Sequence, residues 1–166
     1  MNPRLIDALL LATVATAIAV IWGTGLALPS HIATGFGVLG EATGYGERHL
    51  HLWMMTLLAV GLPLPLGYGM GLLAGREGQR LSIPQKAYWL APERRMATLA
   101  AMEARVKVMA TLLAAYPIGL HLLIVHAQRQ QPPHLSHGLM LALHGVLVLG
   151  MLAWVVELNL RFGRTR

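Results

Sequence analysis

An all-α integral membrane protein with four transmembrane helices is the fold class this sequence specifies. Three features point there. Charged residues make up 12% of the 166 positions and apolar residues 55%, with mean hydropathy +0.57; an ordinary soluble domain carries about 25% charge. Four stretches reach the roughly 20 apolar residues that a spanning helix needs. The Lys and Arg residues fall almost entirely on one side of those stretches.

The first stretch, Ala8 to Leu28, holds 21 residues without a charge. Gly25, Leu26 and Ala27 would serve as a small-residue cleavage site, but the apolar core exceeds the 7–15 residues of a signal peptide, so an uncleaved anchor is expected. Leu52 to Gly75 is 24 residues without a charge. Its Pro63 and Pro65 predict a kink, and Gly67 and Gly71 have the GxxxG spacing that permits close packing. Val108 to Ala127 is interrupted only by His121 and His126, and Gly138 to Val156 only by His144. With flanking turns, the expected spans are about 5–28, 50–75, 106–127 and 138–160.

These lie in one membrane domain, 1–166, packed as an up-down-up-down bundle. An outer Gly-rich loop is expected at 29–49 and an inner amphipathic connector at 76–105. In that connector Tyr88 and Trp89 suit the headgroup layer, and Pro92-Glu93 suits a helix start that continues into the third span. Pro132 and Pro133 stop that helix after Ala127. On orientation, Arg4, Arg76, Arg80, Lys86, Arg94, Arg95, Arg105, Lys107, Arg161, Arg164 and Arg166 fall on one side, against Arg48 and Arg129 on the other. The positive-inside bias places both termini in the cytoplasm. The formal charge of +6 is therefore a topology signal and an attraction to membrane lipid, not a nucleic-acid surface.

The composition also excludes chemistry. Without Cys there is no disulfide, thiol nucleophile, Cys-type zinc site or iron–sulfur ligation. No phosphate loop, HExxH or paired carboxylates stand in a span. A non-enzyme without catalytic residues is expected. The visible acids have local partners in sequence: Arg4 for Asp7 and Arg161 for Glu157.

The outer loop from Leu28 to Arg48 reads LPSHIATGFGVLGEATGYGER. It resembles the bacterial membrane family called domain of unknown function 1648, on Leu28, Pro29, Ile32, Phe36, Gly40, Tyr45 and Arg48. Gly35 stands where that family has His, and Thr43 where it has Asp, so these positions do not carry whatever those polar groups do. A second run, Ile83-Pro84 followed by Tyr88 to Arg95, is similar to a segment of some members. The resemblance implies a multi-pass protein of the bacterial inner membrane that acts through a protein partner or as a homo-oligomer. Related domains occur in immunity and signalling proteins that bind a toxin or sequester a regulator.

Histidine is the chemically unusual residue. All eight fall on the outer half under this topology. His121 and His144 stand at similar depth in sequential antiparallel spans, where they would face each other and hold a metal or ligate haem. His49, His51, His126, His134 and His137 form an outer group with the donors for a divalent metal or a charge change near pH 6. The spacing of His49 and His51 turns them to different helix faces. Those readings are alternatives; the expectation is that these histidines are neutral and hydrogen-bonded to neighbouring helices or waters, with no cofactor. Three function classes follow: a non-enzymatic partner-binding protein in immunity or sensing, a metal- or haem-binding membrane protein, and an accessory subunit of a larger complex.

Overall fold

The computed structural model describes residues 2–69, 80–81 and 83–163. The end of the expected second span with Gly71, the start of the inner connector with Arg76, and the tail cations Arg164 and Arg166 lie outside the described residues.

The chain is mostly helical, with four helices long and apolar enough to cross a membrane: Pro3–Gly25, Arg48–Tyr68, Arg95–Gln128 and His137–Phe162. It is not purely α. Between the first two helices the outer loop forms an antiparallel hairpin of β1 (His31–Phe36) and β2 (Ala42–Glu47). The sequence obscures it because these strands are rich in Gly and lack clear apolar alternation.

Helix α1 (Pro3–Gly25) starts where the Asn2 side chain accepts from the Arg4 backbone N–H, with Pro3 at the first position. Its buried stripe is Ile6, Leu10, Val14, Ala17, Ile21 and Gly25. Helix α2 (Arg48–Val60) is followed after Gly61-Leu62 by α3 (Pro63–Tyr68). The interruption falls where Pro63 and Pro65 deprive the helix of backbone donors. Gly67 lets α3 approach closely: a Cβ there would lie 2.8 Å from Leu10 and 3.5 Å from Ala110.

A short α4 (Lys86–Trp89) precedes the long α5 (Arg95–Gln128), which begins at Arg95 rather than Pro92. Residues 91–94 form a turn instead. Helix α5 is the hub, packing against α1, α2, α3 and the last helix, α6 (His137–Phe162). Helix α6 starts at the Ser136 cap, leans along α5 and buries only Phe162. At its C-terminal end the Trp89 indole N–H donates to the Phe162 carbonyl at 2.9 Å, satisfying one orphan acceptor of the last turn.

Two ion pairs reach across helices, beyond the partners expected from local spacing, and Arg161 still lies near enough to Glu157 to act on its charge. Asp7 pairs with Lys107 on α5 at 2.7 Å, and Glu157 with Arg105 at 2.6 Å. Tertiary packing sets both, since each acid meets a cation of α5.

The hairpin is fastened to the C-terminal end of α5. Leu28 and Ile32 pack with Ile124 and Val125, and Phe36 lies against the same cluster. The Gln128 side chain works as an extra strand: its Oε1 accepts from the Ala33 N–H at 3.0 Å, and its Nε2 donates to the Ala33 carbonyl at 2.9 Å. Replacing Gln128 by Ala is expected to cost about 1–2 kcal/mol of hairpin docking. Amide exchange across residues 31–47 checks it, and unchanged protection there would refute the strand-like role.

Candidate functional site

Beneath the hairpin lies a cavity of about 540 Å³, a volume ordinary for small-molecule sites. Helices α2 and α6 form opposite walls, α5 contributes Leu120 and Ile124, and Phe36 with Gly46 belongs to the roof. The walls carry Met54, Met55 and Met140. Thioether side chains adapt to irregular apolar occupants. The polar lining groups Thr34, Glu47 and His137 are exposed. His51 is different: it lines the same cavity at only 6% exposure.

His51 belongs to a hydrogen-bonded chain that crosses three helices. Its Nε2 lies 3.1 Å from Nδ1 of His121, and the two rings stack at 5.3 Å between centroids. His121 is fully buried, and its Nε2 lies 2.8 Å from Oγ1 of Thr24 on α1. The Thr24 hydroxyl donates in turn to the Val20 carbonyl at 2.7 Å. Gly25 makes room: a Cβ there would overlap Leu52 and stand 3.3 Å from the His121 ring.

The expected facing of His121 and His144 does not occur. His144 meets the Tyr116 hydroxyl at 3.0 Å and its own Met140 carbonyl at 2.8 Å. The reason is azimuth. Five residues turn an α-helix by about 140°, so His121 cannot share the α6-facing side of α5 with Tyr116. Instead it continues the Ala110, Ala114 and Pro117 stripe, all buried.

The outer histidines are dispersed. His49 is exposed beside the Arg48 guanidinium at 3.3 Å, while His51 is buried, as their spacing predicted. His126 is exposed on α5, His134 lies across a β-bridge from Glu41, and His137 is at the cavity. Among the described residues, no group of three or more His, Asp or Glu side chains is placed to hold a metal.

The loop-motif residues have visible structural parts. Arg48 Nη1 donates to the Leu26 and Leu28 carbonyls at 3.0 and 2.7 Å, tying the end of α1 to the start of α2. Ile32 is fully buried and Phe36 lines the cavity. Gly40 takes φ +91° and its carbonyl accepts from the Leu135 N–H at 2.7 Å. Pro29 and Tyr45 are exposed. Sequence reasoning missed Thr24, Gln128 and the Met residues of the walls. Thr24 was legible in principle: it lies within one turn of the outer end of α1, beside its buried stripe.

Together these features define a helical protein of the membrane-spanning type, with a roofed cavity and a buried imidazole pair. The chain matches no protein-family model, no curated protein and no solved structure in comparisons with each.

Proposed function

We propose that this chain is a non-enzymatic, multi-pass protein of the bacterial inner membrane that senses an amphipathic, lipid-like partner. The observation that carries this reading is the cavity between α2 and α6 under the hairpin. Its apolar walls suit a hydrocarbon chain, and His51 with the exposed polar groups suits a polar end. Its volume favours a single chain over a partner helix, whose diameter with side chains is about 10–12 Å.

Both termini lie in the cytoplasm in this proposal. Supporting it, Asp7 meets Lys107 while Thr24 meets His121, so α1 and α5 run the same way. Tyr116 meets His144 while Arg105 meets Glu157, so α6 runs the opposite way. These pairings and the positive-inside bias support the up-down-up-down order with the basic residues inside. The hairpin, whose residues resemble the family called domain of unknown function 1648, then faces outward and roofs the site. A role in sensing or immunity rests on that resemblance.

The test is steric. Met140 lines the cavity from α6, which packs loosely, so Met140→Trp should fill the site and leave the fold intact. A photoreactive alkyl-chain probe in lipid nanodiscs should label the cavity residues in the wild-type protein. Labelling should fall at least tenfold in the Trp variant. Equal labelling of both proteins would sink the proposal.

A further inference from the structure

The hydrogen-bonded chain has a direction, and that direction sets what the cavity accepts. Thr24 has one hydroxyl proton and two close neighbours, the Val20 carbonyl at 2.7 Å and His121 Nε2 at 2.8 Å. Were the proton given to His121, two oxygens would stand 2.7 Å apart with none between them, a repulsive contact. Given to Val20, it leaves Thr24 an acceptor and satisfies both contacts.

Thr56 shows the same arrangement unambiguously. It donates to the Leu52 carbonyl at 2.8 Å while accepting from the Trp22 indole at 3.0 Å, and an indole N–H can only donate.

The consequences run down the chain. His121 must carry its proton on Nε2 to donate to Thr24. With both rings neutral, its Nδ1 is then bare and accepts from His51 Nε2–H. A neutral imidazole has one proton, so His51 Nδ1 is a bare acceptor. Among the described residues that atom has no hydrogen-bond partner; it belongs to a residue that is 94% buried and lines the cavity, and it is open to the cavity rather than sealed in the packing. An apolar occupant that shuts water away from this acceptor leaves it unpaired at a cost, and an occupant that donates avoids that cost.

We propose that His51 Nδ1 is the recognition atom of the cavity, and that the site selects a single-chain amphiphile with a neutral hydroxyl head, the class of long-chain primary alcohols. This rests on the lipid-like reading of the cavity and goes further by naming the polar group. A neutral donor fits better than an ammonium group, because the one carboxylate among the described lining residues, Glu47, is exposed and does not offer a buried counter-charge. Thr24 and His121 are positioning residues: they hold the proton pattern and are absent from the cavity lining.

The test is competition on the full chain in lipid nanodiscs. Cross-linking of a diazirine-bearing alkyl probe is displaced by 1-dodecanol or by dodecyl methyl ether, compared at equal mole fraction in the bilayer. The ether has the same chain and an oxygen, but no proton to give. The alcohol is expected to displace about tenfold better, the scale for leaving an acceptor unpaired once the occupant excludes water.

In His51→Phe both compounds should displace equally, and in Thr24→Val the preference should shrink. The ¹⁵N signal of His51 Nδ1 in the wild-type protein supplies a readout without mutation: it should shift with the alcohol and stay with the ether. Equal displacement in the wild-type protein, or a preference that survives His51→Phe, overturns the assignment and leaves the cavity as a lipid site. Absence of cavity cross-linking overturns both readings.

Discussion

Gly40→Val is expected to undock the hairpin roof, with a cost of about 3 kcal/mol made up of backbone strain and a lost hydrogen bond. Gly40 sits at φ +91°, where a β-branched residue is strained. A Cβ there would also overlap the backbone oxygen of Leu135 and stand 2.9 Å from the His134 ring. Backbone cannot rotate aside as a side-chain tip can, so the connector before α6 must move. Movement breaks the Leu135 N–H bond to the Gly40 carbonyl and shifts Leu135, which lines the cavity. Faster amide exchange over residues 31–47, together with weaker alkyl-probe cross-linking, is the expected result. Gly40→Ala should show the same signs, more weakly. Wild-type exchange in Gly40→Val would mean that the roof does not depend on this contact.

The hairpin itself was scarcely legible. Its strands read as turn-rich polar sequence, and what holds them is a long-range anchor: Gln128, which lies 95 residues from Ala33. The helices were far more legible, because about 20 apolar residues without a charge admit few alternatives in a chain this hydrophobic. Depth along them was legible too, and azimuth was not.

His121 and His144 stand at matching depth, yet only the packed face of α5 decides that His121 turns to His51 and His144 to Tyr116. The signal was present in two stripes. Asp7, Leu10, Val14, Ala17, Ile21 and Gly25 share one side of α1; Lys107, Ala110, Ala114, Pro117 and His121 share one side of α5. Opposite charges close one end of the pair, and Thr24 with His121 closes the other. Matching the two stripes would have taken Asp7 away from Arg4 and His121 away from His144.

Glu157→Ala is expected to destabilise the seat of α6 by about 2 kcal/mol, more than Arg105→Leu does. The ordering follows from which charge is left behind. Arg105 donates from Nε and Nη2 to the Glu157 carboxylate at 2.6–3.0 Å, and from Nη1 to the Ala101 carbonyl at 2.7 Å. Its side chain is 10% exposed and that of Glu157 49%. Removing the acid strands a buried guanidinium, a loss of about 3–5 kcal/mol where both partners are buried. Partial hydration of Glu157 reduces the figure here. Removing Arg105 leaves a carboxylate that water already reaches.

The effect should be local, because α6 buries no part of its apolar span and leans on α5 alone over much of its length. Pulsed electron spin resonance between labels at Ala100 and Asn159 should show a longer and broader distance in Glu157→Ala. Thermal unfolding in detergent should rank Glu157→Ala below Arg105→Leu, with Glu157→Gln nearer wild type. The reverse ranking would mean that the guanidinium is hydrated in the membrane interface and that the seat of α6 depends instead on Phe162 and on the Trp154 indole, which donates to the Arg105 carbonyl at 2.8 Å.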